Sequence, residues 1–304
     1  MRTRRAITAA VLAAAAIAAL PLSAGAAVPA AATGQVDLGI AGSAAKAIGL
    51  LNNSSLKAVG LTDGGRSLVG FAVDRPERTS KIGAVSGLTL DAYLVGIDYR
   101  VQDGNLYGVG NKGGIYTLST RNALAAKVGQ LSVALSGSAF GVDFNPAANA
   151  LRIVSDTGQN LRQPFPTTGA LTAPAVADTT LTYPPAAATG ITAAAYTNND
   201  LSPDTATTLF DLDTVLDQVA IQSPANAGTL APTGKLGVDA TLDAGFDIYS
   251  TVRKGKTVSS DAYATIGVGG TYALYEIDLL AGSADKQGAF KIPVTDIAIV
   301  LGQR

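Results

Sequence analysis

Three aspartates recur at matching places in short apolar segments: Asp98 in Leu94-Val95-Gly96-Ile97-Asp98-Tyr99, Asp143 in Ala139-Phe140-Gly141-Val142-Asp143-Phe144-Asn145, and Asp247 in Asp243-Ala244-Gly245-Phe246-Asp247-Ile248-Tyr249. Aligning these segments with two further ones puts Tyr196 and Ala298 in the same column. Equivalent positions of a repeat point to the same strand face, so the three carboxylates are expected to converge. Convergent carboxylates can bind a cation, a sugar or a basic group. They can also hydrolyse a glycoside when one is kept protonated and the site is open. The competing reading is structural: each Asp caps a turn or accepts a hydrogen bond from a neighbouring repeat's backbone.

A second polar cluster lies in a strand-turn-strand hairpin: Asp156, Asn160 and Arg162. An Arg beside a carboxylate can form a bidentate pair, which serves a ligand clamp or a salt bridge between repeats equally well. Asn145 and Asn198 end two of the recurring segments and add polar groups there. Asn198, Asn199, Asp200 and Asp204 offer oxygen ligands that calcium uses, as do Asp211, Asp213 and Asp217. Neither set has the EF-hand order, and both read equally as solvated loops. Calcium is the one ion these residues suggest; no other cofactor is expected.

Composition removes much other chemistry. The 304 residues include no Cys and no His, which excludes thiol nucleophiles, the Ser-His-Asp arrangement and nearly all zinc, copper and haem sites. Lys and Arg total 22 against 23 acids, with no basic run, so nucleic acid is not an expected partner. Glu occurs twice. Glu77 sits in the turn Arg75-Pro76-Glu77-Arg78 and Glu276 in a later, outer-type strand, so a Glu-based hydrolytic pair has no support.

The elements that position these residues read as all-β and repetitive. From Lys57 onward, short apolar runs alternate with Gly, Asn, Asp and Pro clusters, the pattern of strands bounded by turns. Between Leu94 and Gly129 four strand-like runs follow one another, the size of one propeller blade. Opening strands recur at residues 94, 139, 192 and 243, and a last one at 294 meets the end of the chain. Residues 57–85 hold three strands without an opening one. The two fragments complete each other, which predicts a β-propeller of five four-stranded antiparallel blades closed by the C-terminal strand. Six blades follow instead if residues 34–56 add strands. A monomer is expected.

Ahead of this domain, Met1-Arg2-Thr3-Arg4-Arg5 is a basic start, Ala6 to Leu20 is an apolar run, and Ala24-Gly25-Ala26 is an A-x-A site. The run is shorter than the roughly 20 residues of a membrane span. Residues 1–26 therefore read as a signal peptide, 27–56 as an Ala/Gly-rich lead-in and 57–304 as the propeller, in a secreted or periplasmic protein.

The segments Tyr93-Leu94-Val95-Gly96-Ile97-Asp98-Tyr99-Arg100 and Phe140-Gly141-Val142-Asp143-Phe144-Asn145-Pro146 carry a family resemblance. So do Leu151-Arg152-Ile153-Val154-Ser155-Asp156-Thr157-Gly158-Gln159-Asn160-Leu161-Arg162, Ala193-Ala194-Ala195-Tyr196-Thr197-Asn198-Asn199 and Leu236-Gly237-Val238-Asp239. From about Lys57 to Leu301 the chain resembles the bacterial domain-of-unknown-function 4394 family, which is similar to β-propellers. The resemblance implies an exported, propeller-like bacterial protein and no particular activity. The family commonly has an acid matching Asn149 and a base matching Ala150; both charges are missing here.

The expectation is a non-catalytic binding or interaction module for a small molecule, glycan or protein. Its alternative is a hydrolase of carbohydrate or phosphate esters that uses Asp98, Asp143 and Asp247.

Overall fold

The computed structural model describes residues 55–168 and 170–303. The signal peptide and the lead-in up to residue 54 lie outside the described residues. Ser55 and Leu56 belong to the folded unit: Leu56 is fully buried, and its carbonyl accepts the Val73 N–H.

The chain runs through β1 (Lys57–Thr62), β2 (Ser67–Ala72) and β3 (Arg75–Ala84), then β4 (Leu94–Tyr99), β5 (Leu106–Gly110), β6 (Gly114–Leu118) and β7 (Ala125–Gln130). Next come β8 (Phe140–Asn145), β9 (Ala150–Ser155), β10 (Asn160–Pro164) and β11 (Val176–Ala177). A small hairpin, β12 (Thr182–Tyr183) with β13 (Ala186–Ala187), precedes β14 (Ile191–Tyr196), β15 (Leu209–Asp213), β16 (Gln218–Gln222) and β17 (Leu230–Lys235). The last elements are β18 (Ala244–Arg253), β19 (Lys256–Val268), β20 (Thr271–Ile277), β21 (Ala284–Ala289) and β22 (Val294–Ile299).

These strands form five antiparallel four-stranded blades of a β-propeller. Blade 1 has the order β22-β1-β2-β3; blades 2 to 5 are β4–β7, β8–β11, β14–β17 and β18–β21. The C-terminal strand closes the ring: Ala58 pairs with Ile299, Gly60 with Ile297 and Thr62 with Val294. The inner strands β4, β8, β14, β18 and β22 each pack on the next around the axis.

Both faces of a blade are covered by its neighbours, so its inner strands need apolar residues on both sides and show no in-out alternation. β14, Ile191-Thr192-Ala193-Ala194-Ala195-Tyr196, is buried throughout. The core is accordingly divided among the seams between blades. Ile297 and Val294 pack with Phe71, Tyr249 and Phe290 between blades 5 and 1, and Val142 and Phe144 with Tyr107 and Val109 between blades 2 and 3.

Candidate functional site

Asp98, Asp143 and Asp247 meet at the axis. One oxygen from each lies within 4.8 Å of the others, and all three residues are buried. Each carboxylate reaches across a seam to the next inner strand. Asp98 Oδ2 accepts the Phe144 N–H at 2.7 Å, Asp143 Oδ1 that of Tyr196 at 2.9 Å, and Asp247 Oδ2 that of Ile299 at 2.5 Å. Asp296 does the same two residues earlier in β22: its Oδ2 accepts the Ile97 N–H at 2.7 Å. The seam between blades 4 and 5 uses the side-chain amide of Asn199 instead, which donates to the Ile248 carbonyl at 2.9 Å.

This pattern corrects the fourth position of the aspartate column. Asp98 and Asp247 each bind the N–H one residue past the column position of the next strand. The bond from the Tyr196 N–H to Asp143 therefore puts Ala195 in the column with Asp98, Asp143 and Asp247, and Tyr196 on the opposite face. It also explains the glycine two residues ahead of each axial Asp. A Cβ at Gly141 would stand 2.5 Å from the Ala194 nitrogen, and one at Gly245 2.3 Å from the Asp296 Cα. Glycine there lets adjacent inner strands approach closely enough for the carboxylate to capture the next backbone N–H.

Burial, reinforced by the neighbouring acids, pushes Asp98, Asp143 and Asp296 well above the ordinary carboxylate range; burial raises Asp247 to about 6. The oxygens are a donor set that suits a hard cation, yet each carboxylate is already engaged by backbone N–H groups.

A testable pH dependence follows. A carboxyl with a raised folded pKa binds its proton more tightly folded than unfolded, so its stabilising effect is full at low pH and is lost as pH rises through the folded value. For Asp247 that window runs from the ordinary value near 4 up to about 6. The chain has no His to obscure it. Tm is expected to be higher at pH 5 than at pH 7 by about 5 °C, with a smaller difference in Asp247→Asn. A Tm that rises from pH 5 to pH 7 would contradict this account of the axis.

The other candidates divide between two places. Asn145, Arg162 and Tyr196 line one groove of about 290 Å³ between blades 3 and 4, together with Arg152, Pro224 and Asn226. Asn160 lies just behind it and accepts from Arg152 Nη1 at 2.7 Å. Arg162 pairs with Asp178, not with Asp156: its Nε and Nη2 donate to the two Asp178 oxygens at 3.1 and 3.2 Å. Asp156 faces away and accepts the Ser138 N–H at 2.9 Å. Asn198 has a left-handed backbone, with φ of 64°, and donates to the Ala206 carbonyl at 2.5 Å.

The oxygen donors at residues 198–204 that suggested calcium have partners of their own within the protein. Asp200 accepts from the Ser202 and Thr257 N–H groups, while Asp204 pairs with Lys256 on the surface.

Arg152 and Asp178 are the residues that sequence reasoning missed. Arg152 is 2% exposed and spans the seam. Its Nη1 meets Asp178 at 2.8 Å, its Nη2 meets Asn226 Oδ1 at 2.6 Å and its Nε meets the Tyr196 hydroxyl at 3.3 Å. The signal for it was a lone charge inside the apolar run Leu151-Arg152-Ile153-Val154, since a buried strand retains a charge only when it is fully paired.

Blades, inner-strand order and closure now stand beside a family match. Residues 67–298 match the model of a family described as a domain of unknown function, DUF4394. The chain belongs to this family. No curated protein matches this DUF4394 chain.

Among solved structures it is similar to a protein of unknown function from Bacteroides thetaiotaomicron. Identity is 12%, with 82% of this chain and 68% of the other covered at a TM-score of 0.42. It is also similar to an auxiliary nutrient binding protein from the same organism, at 10% identity, 73% and 52% coverage and a TM-score of 0.41. A third likeness is to the Dos1 propeller, at 10% identity, 75% and 58% coverage and a TM-score of 0.37. The DUF4394 chain thus spans little more than half the length of the last two.

Proposed function

We propose that this chain is a non-catalytic binding module and that its ligand is a small anionic molecule held in the groove between blades 3 and 4. One observation carries the reading: two guanidinium groups, Arg152 and Arg162, share the single carboxylate of Asp178 at this groove. Arg162 is 29% exposed in its side chain, and Asn226 is exposed beside it, so N–H donors face the opening. A carboxylate or phosphate group complements such a donor set bidentately.

The axial acids support binding over hydrolysis. Glycosidase carboxylates stand about 5–5.5 Å or 6.5–9.5 Å apart around an open substrate site. Here they are buried, crowded together and bonded to backbone N–H groups. Export remains part of the proposal, supported by the basic start, apolar run and A-x-A site of residues 1–26. N-terminal sequencing of the exported protein should begin at Ala27; an intact Met1 on a cytoplasmic product would count against export.

The binding test is calorimetric titration with glucuronate, citrate and inorganic phosphate, with neutral glucose as control. Binding of at least one anion is expected, weakened about tenfold or more by Arg162→Gln, in line with loss of a charge-assisted bond. Neutral-sugar binding that survives Arg162→Gln would overturn the anion reading. Hydrolysis of a glycan or phosphoester by the parent, lost in Asp143→Asn/Asp247→Asn with stability kept, would overturn the binding-module reading itself.

A further inference from the structure

A second cavity, of about 440 Å³, lies between blades 2 and 3 and is larger than the groove of about 290 Å³ between blades 3 and 4. Blade 2 supplies Arg100, Gln102, Asp103 and Tyr107; blade 3 supplies Phe165 and Leu171, which follow β10. Small-molecule sites have volumes of about 300–1,000 Å³.

The charges on its wall cancel. Arg100 and Asp103 form an ion pair, and the Asp103 Oδ2 that meets Arg100 Nη1 also accepts the Tyr107 hydroxyl at 2.8 Å. The Arg100 side chain is 6% exposed and has further ties. Its Nε and Nη2 donate to Asn149 Oδ1 at 3.0 and 2.8 Å, and Nη2 donates to the Pro166 carbonyl at 3.0 Å. Its guanidinium carbon stands 5.2 Å from the centre of the Phe165 ring, a cation–π contact. This wall is held in place by the protein itself and offers no net charge to attract an ion. In the groove, by contrast, two guanidinium groups share one carboxylate.

The other side of the cavity is aromatic. Phe165 meets Tyr107 edge-on with ring centres 5.5 Å apart, and the buried Phe144 packs edge-on against both at 4.9 and 5.2 Å. A flat apolar ring gains buried area and ring contacts from such a cluster. One polar atom of the lining is unsatisfied. Gln102 Nε2 donates to the Pro146 carbonyl at 2.7 Å, which fixes the amide, and Gln102 Oε1 is buried with no partner. A buried acceptor of this kind costs free energy until a donor reaches it.

We propose that this cavity binds a small uncharged aromatic ring bearing one hydrogen-bond donor, which Gln102 Oε1 accepts while Phe165 and Tyr107 wall the ring. The site is separate from the anion groove and does not depend on it. A cavity of aromatic wall, cancelled charges and a single placed acceptor matches the usual make-up of small-molecule sites, in which apolar surface supplies the contact and few polar groups fix the orientation.

Indole is the probe, and N-methylindole is its counterpart without a donor. The chain has no Trp, so indole emission excited beyond the tyrosine band reports binding directly. Saturable binding of indole by the purified protein is expected, about tenfold tighter than that of N-methylindole, as one hydrogen bond to a buried acceptor predicts. Gln102→Met should bring the two affinities together, and Phe165→Leu should weaken both by about tenfold. Neither citrate nor glucose should displace indole. Equal affinities in the parent, or no saturable indole binding, overturn the proposal; both readings come from the parent and stand even if a variant does not fold. A preference for indole that Gln102→Met keeps overturns it as well, since the bulk of the methyl group then explains the difference. Displacement by citrate would put the ring in the anion groove, and displacement by glucose would make the cavity a polyol site; either result overturns the proposal.

Discussion

A chain ending at Ile292 is expected to lose its cooperative thermal transition. The deletion removes β22, the inner strand of blade 1. Val294, Ile297 and Ile299 are 0–2% exposed, and burying each such side chain contributes about 1.5–3 kcal/mol. Their combined loss approaches the 5–15 kcal/mol by which a whole domain is usually stable. The cut also removes Asp296 and leaves the buried Asp247 without the Ile299 N–H it binds. It exposes the full edge of β1, which invites association with other chains. Circular dichroism melting with size-exclusion chromatography measures both effects. A truncated monomer that still melts cooperatively within a few degrees of the parent would show that the ring does not depend on its last strand.

The second large effect is expected from Arg152→Met. The side chain is nearly the right length and apolar, so packing is roughly conserved while every polar tie across the seam is lost. Asn160, Asn226 and the Tyr196 hydroxyl lose a donor, and Asp178 retains only Arg162. Removing one partner of a buried ion pair costs about 3–5 kcal/mol. In a domain of this size that lowers Tm by roughly 6–20 °C. Arg162→Met, on a side chain 29% exposed, is expected to cost about 1 kcal/mol or less. Equal losses from the two variants would remove Arg152 from its role as the tie between blades 3 and 4.

The ring itself was legible in the residues. Apolar runs bounded by turn residues mark strands buried on both faces, and the orphan run 294–300 announces closure because three strands after Lys57 lack an inner partner. Two features were not legible for physical reasons. In Ala193-Ala194-Ala195-Tyr196 no Gly or Asp marks the phase, so alignment slips by one residue and gives Tyr196 the place that belongs to Ala195. Arg162 meets Asp178 through a loop of irregular length, a closure that neither propensity nor period encodes. The role of the axial acids was encoded, but in Gly96-Ile97-Asp98, Gly141-Val142-Asp143 and Gly245-Phe246-Asp247 taken together. The acid alone suits a ligand or a tie equally; the glycine ahead of it specifies a backbone drawn close enough to be tied. Asp211 and Asp213 read as a solvated loop because alternating acids at a strand end resemble a turn, whereas both lie on the buried face of β15.

Closure by the last strand has a mechanical consequence. The Lys57 backbone N–H donates to Gln303 Oε1 at 2.7 Å, and Gln303 Nε2 returns a bond to the Lys57 carbonyl at 3.0 Å, so the two ends of the folded unit lie side by side. Tension drawn between them loads the antiparallel β1–β22 ladder from the Ala58–Ile299 pair inward, one pair at a time, instead of shearing all pairs together. Pulled through both ends, the ring peels at forces below those needed to shear the same ladder. Tethered through one end, it carries no load across that ladder at all.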